Sequence, residues 1–233
     1  MAHQADAKCL FDDRGYRGKT IHGVNPAHLL EKASRERIVD SYYFKYSCFA
    51  LNEATLLDRA VDMTFIGGFS QGHKPTPFLC LTLKLLQLMP EKDIILEYLH
   101  QPDFKYLTAL AAFFIRLTYD NKTVYEILEP LLADYRKLRR RTKDGGYSLT
   151  HIDQFIDDLL TKDRVCATSL RKLPLRTVLE DLGQLELRES PLGAELDDLD
   201  KDEVDEVVQL NGSGHHDSTA KITTNSENEE DTD

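Results

Sequence analysis

No tryptophan occurs in the 233 residues, and there are only 4 cysteines, 12 glycines and 8 prolines. Each shortage excludes something. Cys9, Cys48, Cys80 and Cys166 stand far apart, none in a CxxC pair and none at zinc-ligand spacing from a histidine. Neither a zinc site nor a disulfide framework is therefore predicted. Cys80 and Cys166 sit in apolar surroundings and read as small core residues in a reducing compartment. No apolar stretch follows a basic one near the N-terminus, so no signal peptide is expected. The longest uncharged apolar run, Tyr106 to Ile115 between Lys105 and Arg116, falls well short of the roughly 20 residues a membrane helix needs. It reads as a buried core helix.

What is present is unevenly charged. The net charge is −11, yet 15 of the 40 Asp/Glu and only 2 of the 29 Lys/Arg lie after Arg188. Residues 1–188 keep 27 Lys/Arg against 25 Asp/Glu, a net of +2. The pI of about 5.2 thus describes the tail and excludes no acidic or nucleic-acid partner for the body. Three regions are predicted: a flexible arm over 1–20, a helical domain over 21–188, and a disordered acidic tail over 189–233. The tail has no aromatic residue and cannot bury enough apolar area to offset its ordering entropy. Val204, Val207 and Val208 within it read as part of a solvated acidic run, with a short binding helix as the alternative.

Periodicity and capping residues predict an all-α fold, a compact multi-helix domain with one short β-hairpin. Asn25-Pro26 starts a helix carrying Leu29, Leu30 and Ala33. Asn52 caps a helix with Leu57, Ala60, Val61 and Thr64 on one face. The glycine-rich stretch 65–74 is a loop. Thr76-Pro77 opens a helix over 78–89, and Pro90 opens another with Ile94, Ile95, Tyr98 and Leu99 inward. Phe104 to Leu117 is apolar nearly all round, as a central helix would be. Val124, Leu128, Leu131, Tyr135 and Leu138 keep one helical phase across Pro130, so a kinked helix or two abutting ones is expected. Asp144-Gly145-Gly146 is a hairpin turn. Thr150 with Asp153 resembles a capping box, and Ile152, Phe155, Ile156, Leu159 and Leu160 form an amphipathic stripe. A last helix over 175–187 is weakened by Gly183, at about 1 kcal/mol relative to Ala.

No catalytic constellation emerges. In Gly67-Gly68-Phe69-Ser70-Gln71-Gly72-His73-Lys74, His73 separates the last glycine from the lysine and Pro75 stands where a phosphate loop needs Ser or Thr. His22, His28, His73, His100 and His151 are scattered, with no nucleophile elbow nearby. His100 and His151 read as helix-end residues. Asp157 and Asp158 point apart on a helix and read as solvated charges opposite the apolar stripe. No catalytic residue, cofactor site or metal site is assigned.

Two features read as candidate contacts. The first is the aromatic cluster Tyr42, Tyr43, Phe44, Tyr46 and Phe49, weighed first as core and second as a stacking platform, with Phe69 in the glycine loop. The second is the basic run Arg136, Lys137, Arg139, Arg140, Arg141 and Lys143. Its plainer reading is a solvated helix end where cations meet the negative pole of the dipole. Its functional reading is contact with RNA phosphates, an acidic protein segment or the acidic tail.

Several pieces then resemble the pre-mRNA-splicing factor 38 family. They are "IHGVNP" at Ile21, "FIGG" at Phe65, "KPTPFLCLTLKLLQLMPEKDIILEYL" at Lys74, "DFKYLTALAAFFIRLT" at Asp103, "EPLLADYRKLR" at Glu129, and "HIDQFIDDLL" at His151 followed by "RVC" at Arg164. The resemblance is collinear over residues 21–188. It implies a helical, non-enzymatic nuclear scaffold of the spliceosome, at the U4/U6.U5 tri-snRNP or B-complex stage and required for activation. The partners it implies are a zinc-finger protein of the same particle and a helical protein related to microfibril-associated protein. Direct RNA binding through residues 136–143 is the alternative. The tail departs from the family pattern, being acidic where animal relatives often carry Arg and Ser.

Overall fold

Helix starts are fixed by side chains that can accept from otherwise orphaned backbone N–H groups. The computed structural model describes residues 10–12, 14 and 16–188. They fall in the first of two compact units, Met1–Glu186, except for Leu187 and Arg188 of the second, Leu187–Asp233. The acidic tail, with its predicted disorder and its valine segment, lies outside the described residues.

Asn25 accepts from the Ala27 N–H, but it caps only a 3-10 turn, Pro26–Leu29. The first α-helix, α1, is Lys32–Asp40. Asn52 and Thr55 form a reciprocal capping box for α2, Glu53–Val61. The buried face of α2 is Leu56 and Ala60, followed by Met63, while Val61 and Thr64 face outward. Of the predicted stripe, Ala60 is buried and Leu57 packs against the core half-buried, whereas Val61 and Thr64 are displaced by one residue from the buried positions. Thr76 caps α3, Pro77–Leu88, which ends on Met89 in the left-handed region. Helix α4, Lys92–Leu99, buries Ile95, Tyr98 and Leu99. His100 closes it, its ring Nδ1 2.7 Å from the Leu96 carbonyl.

Helix α5, Lys105–Thr118, is the axis of the domain. Every residue from Leu107 to Thr118 is buried, and α2, α3, α4, α6 (Asn121–Leu128) and α7 (Ile152–Thr161) pack around it. Phe78 of α3 links the layers, 5.5 Å from the Phe113 ring and 6.3 Å, edge on, from Phe155. The last helix, α8, is only Arg176–Asp181, shorter than the sequence suggests, and Gly183 follows at φ +65°.

Beyond Pro130 the helical phase proves misleading. Glu129–Ala133 is a 3-10 turn, the chain then extends, and Tyr135 is 72% exposed. Leu138 is buried, but on a strand. A 3.6-residue phase and a two-residue alternation coincide over so short a stretch, and Pro130 withdraws the N–H that would continue the helix.

The described residues hold three two-stranded hairpins rather than the one predicted. The small ones are β1 (Phe69–Ser70) with β2 (Lys74–Pro75) and, later in the chain, β5 (Arg164–Val165) with β6 (Thr168–Ser169). Two residues per strand leave no alternation to read in a sequence. The predicted hairpin is β3 (Lys137–Arg141) with β4 (Tyr147–His151), in register Arg139 with Leu149 and Arg141 with Tyr147.

Candidate docking surfaces

The aromatic cluster is sorted by one π-helical turn, Phe44–Cys48. Residues four apart share a helix face. Phe44 and Cys48 go inward, at 3% and 0% exposure, while Tyr42 and Tyr46 go outward, at 79% and 76%. The two outward rings stack 5.5 Å apart with planes 7° from parallel. Phe49, at 67% exposure, continues the patch, and Tyr43 is half-buried. The first reading, core, is therefore correct for Phe44 and wrong for Tyr42, Tyr46 and Phe49. The segment is pinned from beneath. Lys84 of α3 is 2% exposed and its ammonium donates to the Phe49 carbonyl at 2.9 Å. Burial pushes the Lys84 pKa down. Tyr98 donates to the Glu53 carbonyl at 3.1 Å just beyond.

The basic run is a strand, not a helix end, and strand geometry divides its residues between two faces. On the inner face, Leu138 is buried and Arg140 donates to Asp158 at 2.8 Å. Asp158 also meets Lys162 at 2.5 Å. Its side chain is only 7% exposed, so Asp158 is a buried ion-pair centre, unlike the solvated Asp157. Arg136, just before the strand, is a staple. It donates to the carbonyls of Gln101 and Pro102 at 3.1 and 2.5 Å, to Thr108 at 3.3 Å, and to the Asp134 carboxylate. Burial works against ionisation of Asp134, yet the hydrogen bonds from Arg136 hold its pKa below the usual value. Arg136 and Arg140 are thus committed to the fold.

The outer face carries Lys137, Arg139 and Arg141, with Lys143 in the turn. No acidic side chain among the described residues pairs with any of the four. The guanidinium carbons of Arg139 and Arg141 each lie 4.4 Å from the Tyr147 ring centroid. Phe65 meets that ring edge on at 5.4 Å. Tyr147 and Leu149, 46% and 63% exposed, were missed in the sequence, although Tyr-Ser-Leu-Thr alternates as a half-exposed strand should.

The glycine loop completes a cleft of about 980 Å³, walled by Phe69 to His73, Arg140 to Lys143, and Arg164, Cys166 and Ala167. Ile66 docks on β3 in parallel, donating to the Arg139 carbonyl and accepting from the Arg141 N–H, both at 2.8 Å. Thr76 then ties the loop back, its hydroxyl on the Gly67 carbonyl at 2.6 Å and its N–H on that of Gly68 at 2.9 Å. Phe69 is half-buried beneath the Arg37 guanidinium, 5.6 Å away. Arg141 donates to Ser70 at 3.1 Å. Arg164 pairs with Glu31 at 3.0 Å. Glu31 is held below the usual carboxylate range, chiefly by its hydrogen bond from Ser169.

The predicted capping box at Thr150 does not form. Thr150 Oγ1 contacts Gln154 at 2.9 Å. His151 caps α7 with no side-chain bond, and the Asp153 N–H donates to the Asp134 carbonyl at 3.0 Å. The Asp134 and Arg136 carbonyls, just ahead of β3, supply the acceptors a cap would have supplied.

Ser41 Oγ and Cys80 Sγ lie 3.8 Å apart. Burial pushes the thiols of Cys48, Cys80 and Cys166 up to about 12, so each stays protonated at neutral pH and is not a nucleophile. In iodoacetamide labelling followed by mass spectrometry, these three cysteines will stay unmodified until urea unfolds the chain. No cluster of three metal-ligating side chains occurs among the described residues.

Comparison with known proteins places this architecture. The family model described as "PRP38 family" matches residues 19–183. Pre-mRNA-splicing factor 38A of Xenopus laevis is 48% identical over 182 residues, covering 78% of this chain and 58% of the relative. Pre-mRNA-splicing factor 38 of Drosophila melanogaster is 46% identical over 193 residues, covering 81% and 58%. The chain thus spans under two thirds of the length of these curated relatives. A chain in the crystal structure of the Snu23-Prp38-MFAP1(217-258) complex of Chaetomium thermophilum is 56% identical, with a TM-score of 0.74. The match covers 81% of this chain and 100% of that one. On the extent and identity of these matches, together with the shared fold, the chain belongs to the PRP38 family.

Proposed function

We propose that this protein is a nuclear, non-enzymatic scaffold of the spliceosome, which acts by holding segments of other splicing proteins at the tri-snRNP stage. The observation that carries this reading is the 56% identity to a chain solved inside a three-protein complex with Snu23 and MFAP1(217-258). Its partners are counterparts of those two proteins. Two surfaces supply anchors of the kind that dominate protein interfaces, exposed aromatics and arginines: the Tyr42–Tyr46 stack with Phe49, and the outer hairpin face with Lys137, Arg139, Arg141 and Lys143. Tyr43, Phe44, Arg136 and Arg140 serve beneath them as support, and Phe69 as part of the cleft wall.

The test is co-expression of the full chain with a Snu23 counterpart and an MFAP1 counterpart, followed by gel filtration. The three will co-elute. The Tyr42→Ala/Tyr46→Ala double variant will weaken the complex about tenfold or more, as loss of interface anchors does. Its melting temperature will stay close to wild type, because the two rings are solvent-exposed. Components that elute separately at low salt would sink the proposal.

A further inference from the structure

The outer edge of β4 is an open β-strand edge. Leu138 with Thr150 and Arg140 with Ser148 must be the hydrogen-bonded pairs of the hairpin, because Arg139 and Arg141 turn their own backbone groups the other way, to Ile66 and Tyr106. By the alternation of an antiparallel ladder, the N–H and C=O groups of Tyr147 and Leu149 then point away from β3. Among the described residues none of these groups has a partner. Edges of this kind are usually blunted or covered. The opposite edge of this hairpin is, by Ile66 and the Tyr106 hydroxyl. The β4 edge is left bare, beside an exposed Leu149.

We infer that β4 accepts an extended acidic peptide as an added strand, with carboxylates at alternate positions facing Arg139 and Arg141. Three features define the occupant. The bare backbone groups alternate donor and acceptor, which another peptide backbone matches and a sugar-phosphate chain does not. Lys137, Arg139 and Arg141 recur at every second residue on one face, about 6.8 Å apart in strand geometry, the spacing of alternate side chains in a second strand. These cations have no acidic partner among the described residues. An added strand would lie about 10 Å from β3, two strand spacings, which an arginine and a glutamate side chain span together. Leu149 supplies the apolar contact between charges. The inference rests on the scaffold reading for its use of the outer hairpin face, but its failure would leave the co-elution test, which is read on Tyr42 and Tyr46, untouched.

The probe is a fluorescein-labelled decapeptide alternating Glu and Val, measured by anisotropy against the full chain, with a poly-uridine decanucleotide alongside. The peptide will bind and weaken with salt. N-methylation of alternate backbone nitrogens, which changes the ligand and leaves the protein untouched, will reduce binding about tenfold or more, since main-chain bonds supply the affinity in strand addition. Leu149→Pro will do the same. It removes an outward N–H and none of the β3–β4 bonds, a position where an edge strand tolerates proline. Arg139→Ala/Arg141→Ala will weaken binding and flatten its salt dependence. Equal affinity for the N-methylated peptide overturns the inference. So does a surface that prefers the oligonucleotide and keeps binding it in Leu149→Pro, which would make it a phosphate-binding face.

Discussion

Gly68→Ala will cost the fold about 3 kcal/mol, the upper end of the usual overpacking penalty. A Cβ at this position would lie 2.4 Å from the Cys166 carbonyl oxygen and 2.6 Å from both the Cys166 carbonyl carbon and the Ala167 Cβ. The first two are backbone atoms with no rotamer to move. Nor can the loop retreat. Ile66 is bonded to β3 two residues earlier, and Thr76 holds the carbonyls of Gly67 and Gly68. The turn across from it is already constrained, with Cys166 at φ +48° and Ala167 at φ +60°, a conformation that favours glycine or asparagine. For a domain of this size the melting temperature should fall by about 6–12 °C, read by circular dichroism. Adding Ala167→Gly will recover only part of it, because the carbonyl contact remains. An unchanged melting temperature would mean that the loop and the β5–β6 turn are not in contact. The same contact closes the cleft between Phe69 and Cys166, so Gly68→Ala should loosen that wall as well.

Asp158→Ala should destabilise the protein by about 2–3 kcal/mol, somewhat below the 3–5 kcal/mol typical of a broken buried pair. The discount follows from the cations: Asp158 is 7% exposed at its side chain, but Arg140 and Lys162 are 32% and 58% exposed and recover some hydration. The more exposed, Lys162, contributes little, so the loss is carried by Arg140, left in the cleft without its acid. Asp158→Ala/Arg140→Leu will restore part of the stability, because an apolar replacement leaves no stranded charge. Urea unfolding of the two single variants and the double one gives the coupling directly. Additive losses would show that Arg140 and Asp158 do not interact.

These two positions differ in how well the sequence foretold them. The glycine loop was legible as a loop, and its failure as a phosphate site followed from His73 and Pro75. Its close approach to Cys166 was not legible, because nearly a hundred residues separate them. The sequence reading sets Asp158 opposite the stripe, as a solvated charge. It sits at the border of that stripe, and its burial depends on a strand that the helical phase of Val124, Leu128, Leu131, Tyr135 and Leu138 had concealed. The resemblance carried by "FIGG", "HIDQFIDDLL" and the other pieces found the family, but no motif said which residues of the basic run were spent on structure.

The amino-acid order alone determined the helix starts at Asn52 and Thr76, the buried run of α5 and the Asp144-Gly145-Gly146 turn. These depend on caps, φ preferences and apolar periods that act within a few residues. Only the tertiary structure decided that Tyr42 and Tyr46 face water while Phe44 does not, that Arg136 and Arg140 pair with carboxylates while Arg139 and Arg141 do not, and that β4 keeps a bare edge. Exposure and pairing are set by what packs against a residue from elsewhere in the chain, and that neighbour leaves no mark on the local sequence.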